Sequence, residues 1–76
     1  MWPQENNQLH KEFEFTDFKQ ALIFINKVGE LAEKMEHHPD IFLHNYNKVR
    51  VTLSTHETGV VSDKDFDLAR EIDAIK

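Results

Sequence analysis

The 76-residue chain carries nine Lys and Arg against fourteen Asp and Glu, a formal net charge of −5, with 39% hydrophobic and 30% charged residues. That is the balance of a globular rather than a disordered chain, and scattered basic residues on an acidic chain argue against binding a nucleic-acid backbone, which rests on clustered Lys and Arg. The lack of cysteine excludes disulfide and thiolate-metal staples and fits a reducing cytosol, and the longest apolar run, Ala21 to Ile25, is too short to cross a membrane.

One domain over residues 1–76 is expected. A domain of this size buries only about 60% of the surface its unfolded chain exposes, so its core is thin and oligomerisation is expected to support it. The opening MWPQENNQ has no positive region followed by an apolar stretch, hence no secretory signal is visible and a cytoplasmic location is expected.

Met1 to Asn6 reads as a short first strand that Pro3 keeps at a sheet edge. Residues 9–15, LHKEFEF, then place Leu9, Phe13 and Phe15 on one side and His10, Glu12 and Glu14 on the other, a half-buried strand with Lys11 as the exception on its apolar side. Thr16 or Asp17 suits the N-cap of a helix running from about Asp17 to about His37. Phe18, Leu22, Ile25, Ala32 and Met35, with Val28 and Leu31 beside them, follow its period. Pro39 biases His38 out of the helical region and so ends it.

Residues 41–46, IFLHNY, and 49–53, VRVTL, are rich in β-branched and aromatic residues, and Asn47-Lys48 between them suggests the turn of a hairpin. Val49, Val51 and Leu53 face one way, Arg50 and Thr52 the other. Ser62, with Asp65 three residues on, has the form of a capping box for a last helix buried along Phe66, Ala69, Ile72 and Ile75. The order β-β-α-β-β-α implies an α+β fold, a four-stranded antiparallel sheet with both helices on one face.

Five histidines are unusual in so short a chain. Singly, each has a plain reading. Glu33 and His37 are four apart and can form a surface pair near the helix C-terminus. His38 reads as an exposed loop residue, His56 as a turn residue, and Asp65 as a cap. His10 and His44 sit on exposed strand faces, and Tyr46 reads as a sheet aromatic with a polar tip. Three imidazoles would suffice for a zinc site, yet adjacent His37 and His38 seldom converge on one ion and no helical His pair exists, so no metal is expected.

Together these residues form a pattern. Glu33 is followed after three residues by His37-His38-Pro39, after six more by Tyr46, after nine by His56 and after eight by Asp65. This resembles the signature of the pterin-4a-carbinolamine dehydratases. The flanks FEFTDFKQA, AEKMEHHPD, YNKVRVTLSTHE and DFDLAREID resemble that family too, and Trp2 matches the tryptophan of its first strand. The likeness runs from about Leu9 to Ile75. Family members often carry a further N-terminal helix, and this chain starts too late to hold one.

The resemblance implies a metal-free, cofactor-free dehydration of 4a-hydroxytetrahydropterin, the substrate, to quinonoid dihydropterin, in the recycling of the pterin used by aromatic amino-acid hydroxylases. It implies that His37 and His56 carry acid–base work and that His38 grips the substrate. Imidazole is suited to both acid and base roles near neutral pH. Glu36, His37, His38 and Pro39, with Ser54, Thr55, His56 and Glu57, would line the pterin. Glu33 would orient His37, and Asp65 would do the same for His56. The family commonly has an aromatic residue two after the proline, Asp before the paired histidines and Arg before the final Asp; here these are Ile41, Glu36 and Lys64. Animal members also serve as a dimerisation cofactor for a homeodomain transcription factor, so a protein-interaction module is the competing expectation. A homodimer or tetramer, formed by sheet extension or helix packing, is expected in either case.

Overall fold

The computed structural model describes residues 2–55 and 59–76. Strands β1 (Gln4–Glu5) and β2 (Gln8–Glu14) precede helix α1 (Phe18–Met35), and strands β3 (Asp40–His44) and β4 (Lys48–Leu53) precede helix α2 (Asp63–Ile75). All pairings are antiparallel and the sheet order is β1-β2-β4-β3, so the central pair comes from the two halves of the chain. The expected α+β architecture, β-β-α-β-β-α with both helices on one face, is the one observed.

Register explains the core. Leu9 pairs with Leu53 and Phe13 with Val49, and alternation turns these side chains, with Val51, toward the helices. There they meet Ala21, Phe24 and Val28 of α1 and Leu68, Ala69 and Ile72 of α2. Lys11 shares that face without breaking it. Its stem passes Trp2 and Phe13, with Nζ 5.1 Å from the Phe13 ring centroid, and the ammonium reaches Asp73 at 2.9 Å. The Trp2 indole N–H donates to the same carboxylate at 3.1 Å, which ties the N-terminus to α2.

Four local expectations are corrected. Helix α1 buries Ala21, Phe24, Val28 and Ala32, while Phe18 and Leu22 are exposed. The helix carries two adjacent apolar stripes, and the one facing the sheet has small Ala21 and Ala32 at its ends, which allow close approach. In α2, Leu68 is fully buried beside Ala69 and Ile72, whereas Phe66 and Ile75 lie at the margin of the core.

The third correction concerns the hairpin. His44 pairs with Lys48, so the turn is Asn45-Tyr46-Asn47 rather than Asn47-Lys48. Asn45 and Tyr46 adopt left-handed φ of 50° and 54°. Asn47 is fixed from outside: its carbonyl accepts the Phe15 N–H at 2.9 Å, and its side-chain amide donates to the Phe15 carbonyl at 2.9 Å. Tyr46 therefore sits in an exposed turn rather than in the sheet.

The fourth is the end of α1. Asp17 caps its start, accepting the Gln20 N–H at 2.8 Å. Its end comes at Glu36, which takes φ 51° and ψ 43°, two residues before the position expected from Pro39. The Glu36 N–H donates to the Glu33 carbonyl and the His37 N–H to the Ala32 carbonyl, at 3.3 and 3.1 Å. This is the Schellman pattern, with Glu in the place that glycine usually fills.

Candidate active site

The left-handed residue at position 36 decides where the paired histidines go. It reverses the chain so that His37 leaves the helix and folds against the N-terminus of α2. There its Nε2 lies 2.5 Å from Oδ1 of Asp65. Asp65 has no exposed surface and His37 is 9% exposed. The next residue, His38, points outward and places its Nε2 2.5 Å from Oε2 of Glu33 in the last turn of α1. The partners thus differ from those expected. Glu33 meets His38, not His37, because His37 no longer belongs to the helix whose four-residue spacing would have joined them. Asp65 meets His37.

Asp65 has two functions at once. Oδ2 accepts the Ser62 backbone N–H at 2.9 Å, the carboxylate half of the expected capping box. The same oxygen accepts the Thr55 hydroxyl at 3.0 Å. Thr55 Oγ1 in turn lies 2.5 Å from Ser62 Oγ. One buried carboxylate therefore joins the end of α1, the segment after β4 and the start of α2. The positive end of the α2 dipole lies at the carboxylate.

The hydrogen-bond inventory sets the tautomer. An ionised carboxylate only accepts, so with Asp65 ionised the His37 Nε2 is the donor. Nδ1 is then the ring nitrogen left to take or give a proton. His38 differs in setting: its side chain is 58% exposed and that of Glu33 79% exposed, a solvated pair.

The other expected positions are distributed as follows. Glu36 is exposed at the reversal, Pro39 is half-buried just before β3, and Ser54 and Thr55 are half-buried just after β4. His56 and Glu57 lie outside the described residues. Among the described residues no group of three or more His, Cys, Asp or Glu side chains could hold a metal ion, and no helix is long and apolar enough to cross a membrane. Sequence reasoning missed the Thr55 hydroxyl as a partner of Asp65 and of Ser62. The capping box was the available signal, since it fixes Asp65 at the start of α2, but nothing in the spacing shows which strand end arrives beside it.

On the open face of the sheet, His44 Nε2 and Arg50 Nε approach Oε1 of Glu12 at 2.9 and 3.3 Å. The hydrogen bond from His44 is the chief influence holding the Glu12 carboxyl below the usual glutamate value; burial opposes it, and the charges of His44 and Arg50 add to the lowering.

Comparison with known proteins gives a consistent result. The family model for pterin 4 alpha carbinolamine dehydratase matches residues 1–75. A Sulfolobus acidocaldarius protein, provisionally named pterin-4-alpha-carbinolamine dehydratase, is 44% identical over 75 residues, covering 99% of this chain and 81% of that protein. Among solved structures, a Brucella melitensis protein described as a transcriptional coactivator/pterin dehydratase superposes with a TM-score of 0.90 at 37% identity, over 97% of this chain and 80% of that one. A pterin dehydratase-like protein identified as a RuBisCO assembly factor in the alpha-carboxysome shares the fold, with a TM-score of 0.76 at 23% identity over 97% of this chain and 84% of that one.

Proposed function

Because this chain belongs to the pterin 4 alpha carbinolamine dehydratase family, we propose that it dehydrates a 4a-hydroxytetrahydropterin to a quinonoid dihydropterin, with His37 and His56 as the acid–base pair. In this reaction the C4a–O bond breaks and the N5–H proton leaves. One imidazole accepts the N5 proton, the other protonates the departing hydroxyl, and water is released. His38 grips the substrate, with Glu36, Pro39, Glu57 and the backbone of Ser54 and Thr55 beside it. No cofactor takes part, because the pterin is itself the substrate.

The observation that supports the reading best is the His37–Asp65 contact. A ring held through one nitrogen by a buried carboxylate presents the other in a fixed direction. The orientation assigned to Glu33 at the sequence level passes to Asp65. The test is stopped-flow dehydration of freshly made 4a-hydroxytetrahydropterin, with wild type beside His37→Ala and His56→Ala. Acceleration by wild type that collapses in both folded variants supports the assignment, and full turnover in either removes that residue from it.

One observation favours a second reading, association between chains. Strand β3 ends the sheet, and Phe42 is 59% exposed on it. Two copies of β3 paired antiparallel about Phe42 would set Asp40 of each opposite His44 of the other, a self-complementary arrangement. The proposed occupant is a second copy of this chain. Sedimentation equilibrium of wild type and Asp40→Lys tests it: a dimer that the variant dissociates supports it, and a wild-type monomer overturns it.

A further inference from the structure

We infer that the Thr55 hydroxyl is a positioning group for His37, acting through Asp65 as the middle member of a directed hydrogen-bond chain that begins at Ser62. The inference rests on the dehydratase reading for its kinetic consequence, but not for its geometry.

Thr55 Oγ1 has one proton, and among the described residues Asp65 Oδ2 lies 3.0 Å and Ser62 Oγ 2.5 Å from it. The carboxylate cannot donate, so the Thr55 proton goes to Asp65. The 2.5 Å contact must then be served by the Ser62 hydroxyl donating to Thr55. That uses the only Ser62 side-chain proton, which leaves the longer 3.5 Å approach of Ser62 Oγ to Asp65 without one. The protons of these three contacts are therefore directed: Ser62 to Thr55, Thr55 to Asp65 Oδ2, and His37 Nε2 to Asp65 Oδ1.

The direction has a consequence. Oδ2 receives both the Thr55 hydroxyl and the Ser62 backbone N–H, which fixes the carboxylate plane and leaves Oδ1 to His37 alone. Removing the Thr55 donor frees the carboxylate to turn and to share Oδ1 and Oδ2 with the imidazole. The ring then loses its single orientation, and Nδ1 loses its aim. Thr55 already anchors its segment by backbone bonds, its N–H to the Val60 carbonyl at 3.0 Å and its carbonyl from the Gly59 N–H at 2.7 Å. Its hydroxyl thus joins the carboxylate from a fixed backbone.

The test is Thr55→Val, nearly isosteric but without the hydroxyl, beside Thr55→Ser. Two readouts are taken: the imidazole Nε2–H resonance of His37 by ¹⁵N–¹H NMR, and kcat and KM for 4a-hydroxytetrahydropterin. Thr55→Val is expected to broaden or remove the His37 N–H resonance and to lower kcat about tenfold with KM little changed. Thr55→Ser is expected to restore both. A Thr55→Val protein that keeps the sharp resonance overturns the inference, as does a Thr55→Ser protein that restores neither readout. Should Thr55→Val not fold, Ser62→Ala takes its place: partial broadening of the same resonance supports the chain, and none overturns it. A wild type that never dehydrates the pterin defeats the dehydratase reading, while the NMR arm still decides the role of Thr55.

Discussion

His37 and Asp65 stand twenty-eight positions apart in the chain and 2.5 Å apart in space, and the carboxylate is completely buried. A buried carboxylate is costly unless its lone pairs are taken; here Ser62, Thr55 and His37 take them. Asp65→Asn keeps the shape but puts an NH₂ group where acceptors are needed. Turnover of 4a-hydroxytetrahydropterin is expected to fall by at least about a hundredfold. Stability should fall by about 1–3 kcal/mol, since one donor loses its partner. Steady-state rates and urea denaturation on the same samples check both, and a variant with wild-type kcat would remove Asp65 from any role in holding His37.

The Glu33–His38 contact has the same length and a different setting. Both side chains are more than half exposed, and solvent and salt screen such pairs to about 0–1 kcal/mol. Glu33→Gln should therefore change stability by less than about 1 kcal/mol and kcat by less than about fivefold. Thermal melts and rates at low and high salt test this. A collapse of kcat as large as that of Asp65→Asn would show that solvent exposure understates the pair.

Glu36 offers a case where stability and site geometry separate. A side chain in the left-handed region costs about 1–2 kcal/mol, and glycine there costs about 0.5–1 kcal/mol in chain entropy. Glu36→Gly should thus stabilise the fold by roughly 0.5–1 kcal/mol. If Glu36 contacts the pterin, the same variant raises KM. Urea midpoints paired with KM give the two effects separately, and a destabilised variant would mean that the Glu36 side chain makes a contact worth more than the backbone cost.

The strand core gives the largest expected loss. Leu53 is fully buried opposite Leu9 on the central pair of strands. Leu53→Ala should cost about 2–5 kcal/mol through lost transfer energy and the cavity left behind. In a domain this small that approaches the whole stability, so denaturation is best followed in a stabilising osmolyte. A loss under about 1 kcal/mol would mean that the site collapses around the smaller side chain.

The strands and capping signals were legible in the sequence because their causes are local. Alternation in LHKEFEF and VRVTL, Asp17 before α1 and the Ser62–Asp65 spacing each fix a conformation within a few residues. The choice between the two apolar stripes of α1 was not local, since it depends on how closely the helix can approach the sheet. The end of α1 was misplaced because a left-handed Glu is not a propensity signal. That one residue also takes His37 away from Glu33 and sets it against Asp65, a pairing that helical spacing could not show. The Asn45–Tyr46 turn was missed for a related reason: Asn47 is held by Phe15, a residue from another part of the chain.

The open face of the sheet gives a prediction with a defined pH sign. The Glu12 carboxyl sits below its ordinary value of 4.5, chiefly through the hydrogen bond from His44. In the unfolded chain that carboxyl takes up a proton first as pH falls. Its contribution to stability is therefore fully present above about pH 4.5 and is lost as pH falls through the lower folded value. The Glu12 side chain is 38% exposed, so the contribution is discounted to about 0.2–1 kcal/mol. Glu12→Gln should lower the urea midpoint near about pH 6, approach wild type as pH falls below the lowered folded value, and lose most of its effect at high salt. A difference that grows as pH falls would reverse the sign and show that the carboxyl is held protonated rather than ionised by the fold.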